Sequence, residues 1–468
     1  MKIEQIYTGC LAQGAYYIES EGEVAIIDPL REVQPYIDKA VSNNAKIKYI
    51  FETHFHADFV SGHVTLSEKT GAPIVFGPSA MPSFKAHIAA DGEVFKLGKI
   101  TITTLHTPGH TMESTCYLLK DDSGKEYALF SGDTLFLGDV GRPDLAQKAA
   151  HMTQEELAGI LFDSLRTKIM PLADDVIVYP AHGAGSACGK NLSKETVGSI
   201  GNQKETNYAL RADMTREEFI KEVTDGLLPP PAYFPMNVKM NKEGYENVET
   251  IIADAKPFDP NTFELIANET EALILDVRYQ DEFAKGHIPK SIFIGIDGGF
   301  APWVGALILD NKQPILLVTA EGRENETIMR LARVGYDNTI GYLKDGFDSW
   351  KKAGLEYDTI SSVSAEALKK KIQGKAIVFD VRKPGEYAAE HVLDVPSTPL
   401  DFLNEHLAEF PKEASFYLHC AGGYRSMIAA SILKARGFHN VIDVYGGFDA
   451  IKKTGIKTTQ YVCPSTLK

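Results

Sequence analysis

The C-terminal part of the chain repeats itself. Asp276-Val277-Arg278 recurs as Asp380-Val381-Arg382, and Glu282-Phe283 with His287-Ile288 returns as Glu386-Tyr387 with His391-Val392. Gly346-Phe347-Asp348 with Lys351-Lys352 returns as Gly447-Phe448-Asp449 with Lys452-Lys453. Matches at a nearly constant offset mark a tandem duplication of roughly 100 residues per copy. Each copy alternates short apolar runs (272–275 and 315–318; 376–379 and 416–418) with amphipathic stretches, the pattern of a parallel α/β sheet.

The remaining 210 or so N-terminal residues differ in character, and a length of 468 residues suggests about three domains. Apolar runs at 23–27, 47–51, 73–76, 127–130 and 176–179 read as strands, several ending in a polar or histidine-bearing turn. Leu227-Leu228-Pro229-Pro230-Pro231, Pro235, Pro257 and Pro260 interrupt helix and central strand, which places a linker, or a rigid strap over the first domain, there. The expected domains are 1–245, 258–358 and 359–468. With 44% apolar and 24% charged residues the chain reads as globular. A net charge of -15 argues against nucleic acid or an acidic membrane as partner. No stretch of about 18 apolar residues and no long apolar leader is present, so a cytoplasmic protein is expected. Five scattered cysteines, Cys10, Cys116, Cys188, Cys420 and Cys463, fit a reducing compartment.

Four N-terminal turns carry metal-ligand residues. Thr53-His54-Phe55-His56-Ala57-Asp58 follows Tyr49-Ile50-Phe51; Thr107-Pro108-Gly109-His110, Ser131-Gly132-Asp133 and Tyr179-Pro180-Ala181-His182-Gly183 follow or end other apolar runs. Imidazoles and carboxylates converging from several strand ends are what a divalent metal requires. One such turn is more simply a capped loop, but four in this order are not coincidence. Their order and spacing resemble the metallo-β-lactamase superfamily over about residues 1–240, which implies an αββα sandwich. The usual first motif of that superfamily is HxHxDH; here it reads His54-Phe55-His56-Ala57-Asp58-Phe59, and phenylalanine has no lone pair for a second metal.

That departure narrows the resemblance to the persulfide dioxygenase branch, which implies one Fe(II) per chain held by His54, His110 and Asp133. Two histidines and one carboxylate leave positions open for substrate and O₂, as in non-haem iron sites. The resemblance then makes His56, Asp58 and His182 supporting residues that orient ligands or water, although direct ligation by His56 stays open. Arg142, in Gly141-Arg142-Pro143-Asp144, is expected to anchor the site or bind substrate, with an inter-loop ion pair as the alternative. Cys188 follows His182 in a turn with Lys190; a reactive thiol and a buried structural cysteine are both open readings, the second favoured.

In the last repeat, Phe416-Tyr417-Leu418 leads into His419-Cys420-Ala421-Gly422-Gly423-Tyr424-Arg425-Ser426 and a helix-like stretch from 427 to 435. A cysteine between strand and helix N-terminus sits among converging N–H groups that favour a thiolate. This segment and the repeated motifs resemble the rhodanese family across about residues 259–468. The resemblance implies that Cys420 carries sulfane sulfur, with Arg425 as its cationic, substrate-binding neighbour. Four residues separate Cys420 from Arg425, one fewer than in the related phosphatases. The first repeat has Ala320 and Asn325 at the equivalent positions; alanine is no nucleophile, so that copy should be inactive, a spacer or packing surface.

The expected protein is therefore α/β throughout: an N-terminal metallo-β-lactamase αββα sandwich followed by an inactive and an active rhodanese-like domain. The resemblances imply oxidation of the sulfane sulfur of glutathione persulfide, or another low-molecular-weight thiol persulfide, by O₂ to sulfite. Sulfur transfer at Cys420 would make or use thiosulfate, and a homo-oligomer is expected by family analogy. Two alternatives stand: a glyoxalase II-like zinc thioester hydrolase with an appended sulfurtransferase, and a sulfur carrier or redox sensor.

Overall fold

The computed structural model describes residues 1–463, which fall into two compact units, one of Met1–Val248 with Leu331–Tyr336 and one of Glu249–Arg330 with Asp337 onward. Among the described residues no helix is long and apolar enough to cross a membrane.

The first unit contains two six-stranded sheets. Strands β1 to β6 (Lys2–Thr8, Gln13–Ser20, Glu23–Ile27, Lys46–Phe51, Ile74–Phe76, His87–Ile88) form one in sequence order; β7 to β12 (Val94–Leu97, Ile100–His106, Thr115–Lys120, Glu126–Gly132, Ile177–Pro180, Gly198–Ser199) form the other in reverse order. Alternation along the strands builds the layers. Tyr16 and Ile18 of β2 join Tyr117 and Phe130 in the core between the sheets, while Ala15 and Tyr17 turn outward onto Tyr36, Ala40 and Leu66 of the helices Gln34–Ser42 and His63–Thr70. On the other side Leu118 and Leu129 pack under Ala158, Leu161, Phe219 and Val223 of the helices Gln154–Ser164 and Arg216–Thr224. Both of these helices open with a Thr-x-x-Glu capping box, Thr153 with Glu156 and Thr215 with Glu218, which satisfies two N–H groups that the first turn leaves unpaired. The result is an αββα sandwich.

The proline-rich segment contains helices that begin at or beside its prolines. Pro235 lies in the first turn of a helix, Phe234–Glu243, and Pro260 starts the helix Pro260–Thr270 behind the capping side chain of Asp259. Proline is tolerated in a first turn, where its missing N–H has no intrahelical partner to lose. Pro257 lies in β13 (Lys256–Phe258), an edge strand, where an absent donor is equally tolerated.

The second unit holds a five-stranded sheet, order β13-β17-β16-β14-β15 (Lys256–Phe258, Thr339–Leu343, Ile315–Val318, Leu273–Asp276, Ile292–Phe293), and a four-stranded one, order β18-β21-β20-β19 (Ser361–Ser364, Val441–Tyr445, Phe416–His419, Ile377–Asp380). All pairings in them are parallel. The repeated sequence produces repeated contacts. Arg278 and Arg382 each clasp the aspartate two residues before them, donate to a backbone carbonyl (Gly286 and Glu390, both at 2.8 Å), and lie over Phe347 and Phe448. His287 stacks on Phe283 and His391 on Tyr387, with ring centroids 4.0 and 3.8 Å apart. The duplicated residues are thus the braces that hold each helix–strand crossover to its sheet.

Candidate metal centre and thiol loop

The N-terminal ligand residues all leave the carboxyl ends of strands: His54 after β4, His110 after β8, Asp133 after β10 and His182 after β11. The strand ends must come close for these side chains to meet. Gly109 has φ +137 and would place a Cβ 2.4 Å from the Leu161 backbone, and Gly141 would place one 2.1 Å from the Asp133 carbonyl oxygen. Only glycine fits either position.

His54, His110 and Asp133 converge, their ligand atoms all lying within 4.8 Å of one another. His110 Nε2 is 3.4 Å and His54 Nε2 3.9 Å from Asp133 Oδ2, and all three side chains are buried. The surrounding hydrogen bonds set the tautomers. Thr53 Oγ1 donates to Asp28 and therefore accepts from His54 Nδ1 at 3.0 Å, while His110 Nδ1 faces the Arg142 carbonyl oxygen at 2.8 Å. Both Nε2 lone pairs are left aimed at the carboxylate. Burial, with repulsion from His56, His110 and His182, pushes the pKa of His54 well down and keeps it neutral. Neither oxygen of Asp133 has a hydrogen-bond donor. Two imidazoles with their Nε2 atoms turned to a buried carboxylate that has no hydrogen-bond donor among the described residues fit a divalent cation, which would satisfy all three at once.

His56 points elsewhere. Its Nε2 forms ion pairs with Asp28 Oδ1 at 3.1 Å and Glu52 Oε2 at 3.5 Å. Burial opposes its protonation, but Asp28, Glu52 and Asp58 together raise its pKa to about 9. Phe59, buried completely, lies against it with ring centroids 4.3 Å apart. A second group, Asp58, His182 and Cys188, gathers on the other side, with His182 Nε2 3.4 Å from Asp58 Oδ2 and 3.6 Å from Asp133 Oδ1.

The two other sequence candidates in this unit are tied into the protein. Arg142 makes a two-pronged pair with Asp144 at 2.7 Å and donates to the carbonyl oxygens of Ala187 at 3.2 Å and Leu228 at 2.6 Å. Its guanidinium thus pairs with a carboxylate of its own loop and ties that loop to two others through their carbonyl oxygens. Lys190 does not face Cys188; its ammonium binds the carbonyl oxygens of Glu222 and Asp225. Cys188 is buried, and burial together with Asp58 and Asp133 pushes its thiol pKa well up.

In the second unit Cys420 follows β20 and is 1% exposed. The Gly423 amide donates to its sulfur at 3.1 Å, and the Ser426 hydroxyl stands 3.6 Å away. Gly423 caps the buried helix Tyr424–Ala435 at φ +108. Arg425 forms two bonds to Glu386, at 2.5 and 2.8 Å, so the loop's cation comes as a neutral pair. The Gly-Phe-Asp repeat explains itself here: the amides of Phe448 and Asp449 donate to the carbonyl oxygens of Cys420 and Ala421 at 2.7 and 3.1 Å and hold the loop from behind. Beyond Ser426 lies Asp443 of β21, 2% exposed; burial first, then Asp281, raises its pKa to about 7. In the other repeat Ala320 occupies the cysteine position, and Arg323 is paired with Asp297 and Glu326. That repeat packs on the thiol loop: Tyr424 donates to the Gly295 carbonyl oxygen at 2.7 Å, and a Cβ at Gly298 would meet its ring at 2.3 Å.

Sequence reasoning missed Glu52, Asp28 and Asn241. Asp28 and Glu52 sit at strand ends beside the histidine motif, a signal equal to the one that found Asp133; Asn241 had none.

Comparison with known proteins agrees with this geometry. The metallo-beta-lactamase superfamily matches residues 8–182, and the rhodanese-like domain matches twice, over 259–353 and 364–454. A metallo-beta-lactamase structure from Staphylococcus aureus is 31% identical over 74% of this chain and 99% of its own, with a TM-score of 0.64. Human mitochondrial persulfide dioxygenase ETHE1 is 28% identical over 47% of this chain and 78% of its own length. A probable hydroxyacylglutathione hydrolase of Schizosaccharomyces pombe is 30% identical over 35% of this chain, which spans 60% of that relative. The chain belongs to the metallo-beta-lactamase superfamily, with two rhodanese-like domains following its metal-site domain.

Proposed function

We propose that the N-terminal domain is a mononuclear iron persulfide dioxygenase and that the last domain is a sulfurtransferase working through Cys420. The reaction of the first is RSSH + O₂ + H₂O → RSH + sulfite + 2 H⁺, in which the sulfane sulfur gives up four electrons and O₂ accepts them. The observation that carries the reading is the division of the histidine motif. His54, His110 and Asp133 converge, whereas His56 is bound to Asp28 and Glu52 and Phe59 supplies no donor.

His54, His110 and Asp133 would hold the iron, whose open positions supply the activation of O₂ and persulfide. The chain's own residues do the rest. Asp28 fixes the His54 tautomer through Thr53, the Arg142 carbonyl oxygen fixes that of His110, and burial keeps the His54 imidazole neutral. Asp58 and His182, beside Asp133, are placed to hold and pass the protons that the overall reaction releases.

At the other site, the Cys420 thiolate attacks the outer sulfur of a persulfide. The old S–S bond breaks, the thiolate RS⁻ leaves, and the new S–S bond leaves a persulfide on Cys420. The Gly423 amide and the Ser426 hydroxyl stabilise the sulfur anion. Transfer of that sulfur to sulfite yields thiosulfate. A cytoplasmic homo-oligomer with glutathione persulfide as substrate completes the proposal.

Two variants test the division. Cys420→Ser is expected to abolish sulfur transfer and leave oxygen uptake with preformed glutathione persulfide within about twofold; Asp133→Ala is expected to do the reverse. Loss of both activities in a folded single variant would refute two separate sites. A thioesterase reading is supported by the identity to hydroxyacylglutathione hydrolases; hydrolysis of S-lactoylglutathione by the zinc form, with no oxygen uptake by the iron form, would establish it instead.

A further inference from the structure

Asn241 lies on the helix Phe234–Glu243, about 60 residues beyond the end of the superfamily match at residue 182, yet its side chain bonds to the histidine motif and to the Ser61 amide just after it. Its Nδ2 donates to the carbonyl oxygens of His56 and Phe59, each at 2.8 Å, and its Oδ1 accepts from the Ser61 amide at 2.8 Å. The side chain is 1% exposed. One amide group therefore satisfies three backbone groups within six residues, groups that would otherwise be stranded without water. Leucine fills the space and satisfies none of them; aspartate keeps the acceptor and loses both donors.

The loop that carries His54 and Asp58 is held along its length. At its start, Asp28 accepts from the Thr53 amide and hydroxyl, both at 2.8 Å, and in its middle Glu113 accepts from the Phe55 amide at 3.1 Å. At its end the Val60 amide donates to the Arg333 carbonyl oxygen at 2.7 Å and the Ser61 side chain bonds Glu52 at 2.6 Å, while Asn241 alone among these partners spans from His56 to Ser61. The same segment is fastened elsewhere on this unit: Leu228 accepts from Arg142, Lys242 accepts from the Ser83 amide at 2.8 Å, and the Tyr245 hydroxyl accepts from the Val64 amide at 3.2 Å. The strap thus runs from the loop carrying Arg142, whose carbonyl oxygen orients His110, to the loop carrying His54.

We infer that the strap from Leu228 to Tyr245 is a working part of the metal centre and that Asn241 is the positioning residue of the histidine loop. The inference rests on the reading of His54, His110 and Asp133 as the metal ligands. A residue that fixes a ligand loop changes how well the metal is held and the field it experiences, and losing such a partner typically costs about 10- to 100-fold in affinity.

The test uses the full chain stripped of metal and titrated anaerobically with Fe(II) against a chromogenic chelator, and separately with Co(II) followed by its visible absorption. Asn241→Leu and Asn241→Asp are compared with wild type and with Lys239→Ala, an exposed change on the same helix. The expected result is an Fe(II) dissociation constant raised about tenfold or more in both Asn241 variants, with a shifted Co(II) spectrum and with Lys239→Ala unchanged. Equal affinities and spectra would overturn the inference, as would metal-free Asn241 variants that fail to fold, because the helix would then support the domain rather than the loop. Failure of the wild type to take up either metal would instead sink the metal-centre reading.

Discussion

Asp443 makes the stability of the thiol domain fall as pH rises from about 4 to about 7, and its replacement by asparagine should remove that dependence. The carboxyl is 2% exposed, one of its oxygens has no hydrogen-bond partner, and Asp281 adds a second negative charge to its surroundings. Only the Ser426 side chain and the Val444 amide favour its ionised form, and the balance raises the pKa from 3.8 to about 7. Between those values the native domain keeps a proton that the unfolded chain releases, so unfolding releases protons and rising pH favours it. At about 1.4 kcal/mol per pH unit, the gap corresponds to roughly 4 kcal/mol lost between pH 4 and pH 7. A chain of several domains need not unfold in one transition, so the suitable assay is hydrogen exchange of peptides from residues 416–445 at pH 5 and pH 8, corrected for intrinsic rates. In wild type the opening free energy should be lower at pH 8 than at pH 5 by a few kcal/mol, and in Asp443→Asn the difference should largely vanish. The same pH dependence in both proteins would refute the assignment.

His287, in the inactive repeat, should show the opposite sign. Burial lowers its pKa from 6.5 to about 4, so the unfolded chain takes up a proton that the native domain refuses, and about 3 kcal/mol of stability is lost as pH falls through that window; peptides around residues 283–293 should lose protection from pH 7 to pH 4 in wild type and less so in His287→Asn. At Gly447, φ is +53 and an added Cβ would stand 2.5 Å from the carbonyl oxygens of both Cys420 and Ala421. Gly447→Ala should therefore cost about 1–2 kcal/mol for the left-handed backbone alone and displace the thiol loop, lowering sulfur transfer by about tenfold or more; unchanged turnover would show that the loop tolerates the shift.

The parts of this fold that were legible in the sequence are those with a local signature. Short apolar runs marked the strands, and the duplicated Asp-Val-Arg and Gly-Phe-Asp motifs marked two copies of one domain because their residues make the same contacts in both. The turns carrying His54, His110, Asp133 and His182 stood out because each lies at the end of an apolar run, and the family resemblance singled out His54, His110 and Asp133 among them. What could not be read was direction and distance. HxH spacing says that His54 and His56 share a loop, but only the buried carboxylates of Asp28 and Glu52 turn His56 away from the metal position. Lys190 is two residues from Cys188 in sequence, yet its charge goes to carbonyls of another segment. Nothing in the segment around Arg142 tells that its guanidinium reaches the carbonyl oxygens of Ala187 and Leu228, 45 and 86 residues away. Asn241, 185 residues from His56, is an unremarkable asparagine on a helix, and no local pattern connects it with the histidine loop. Pro235 shows the limit of proline as a signal: it ends a helix from within but starts one equally well.

The central claim is that the N-terminal site oxidises a persulfide with O₂. The most direct measurement is oxygen uptake by anaerobically purified chain of known iron content on addition of glutathione persulfide, with sulfite and thiosulfate assayed in the same sample. The account predicts about one iron per chain and one O₂ consumed per persulfide sulfur oxidised. A protein that carries zinc and consumes no oxygen, even after reconstitution with Fe(II), would contradict it.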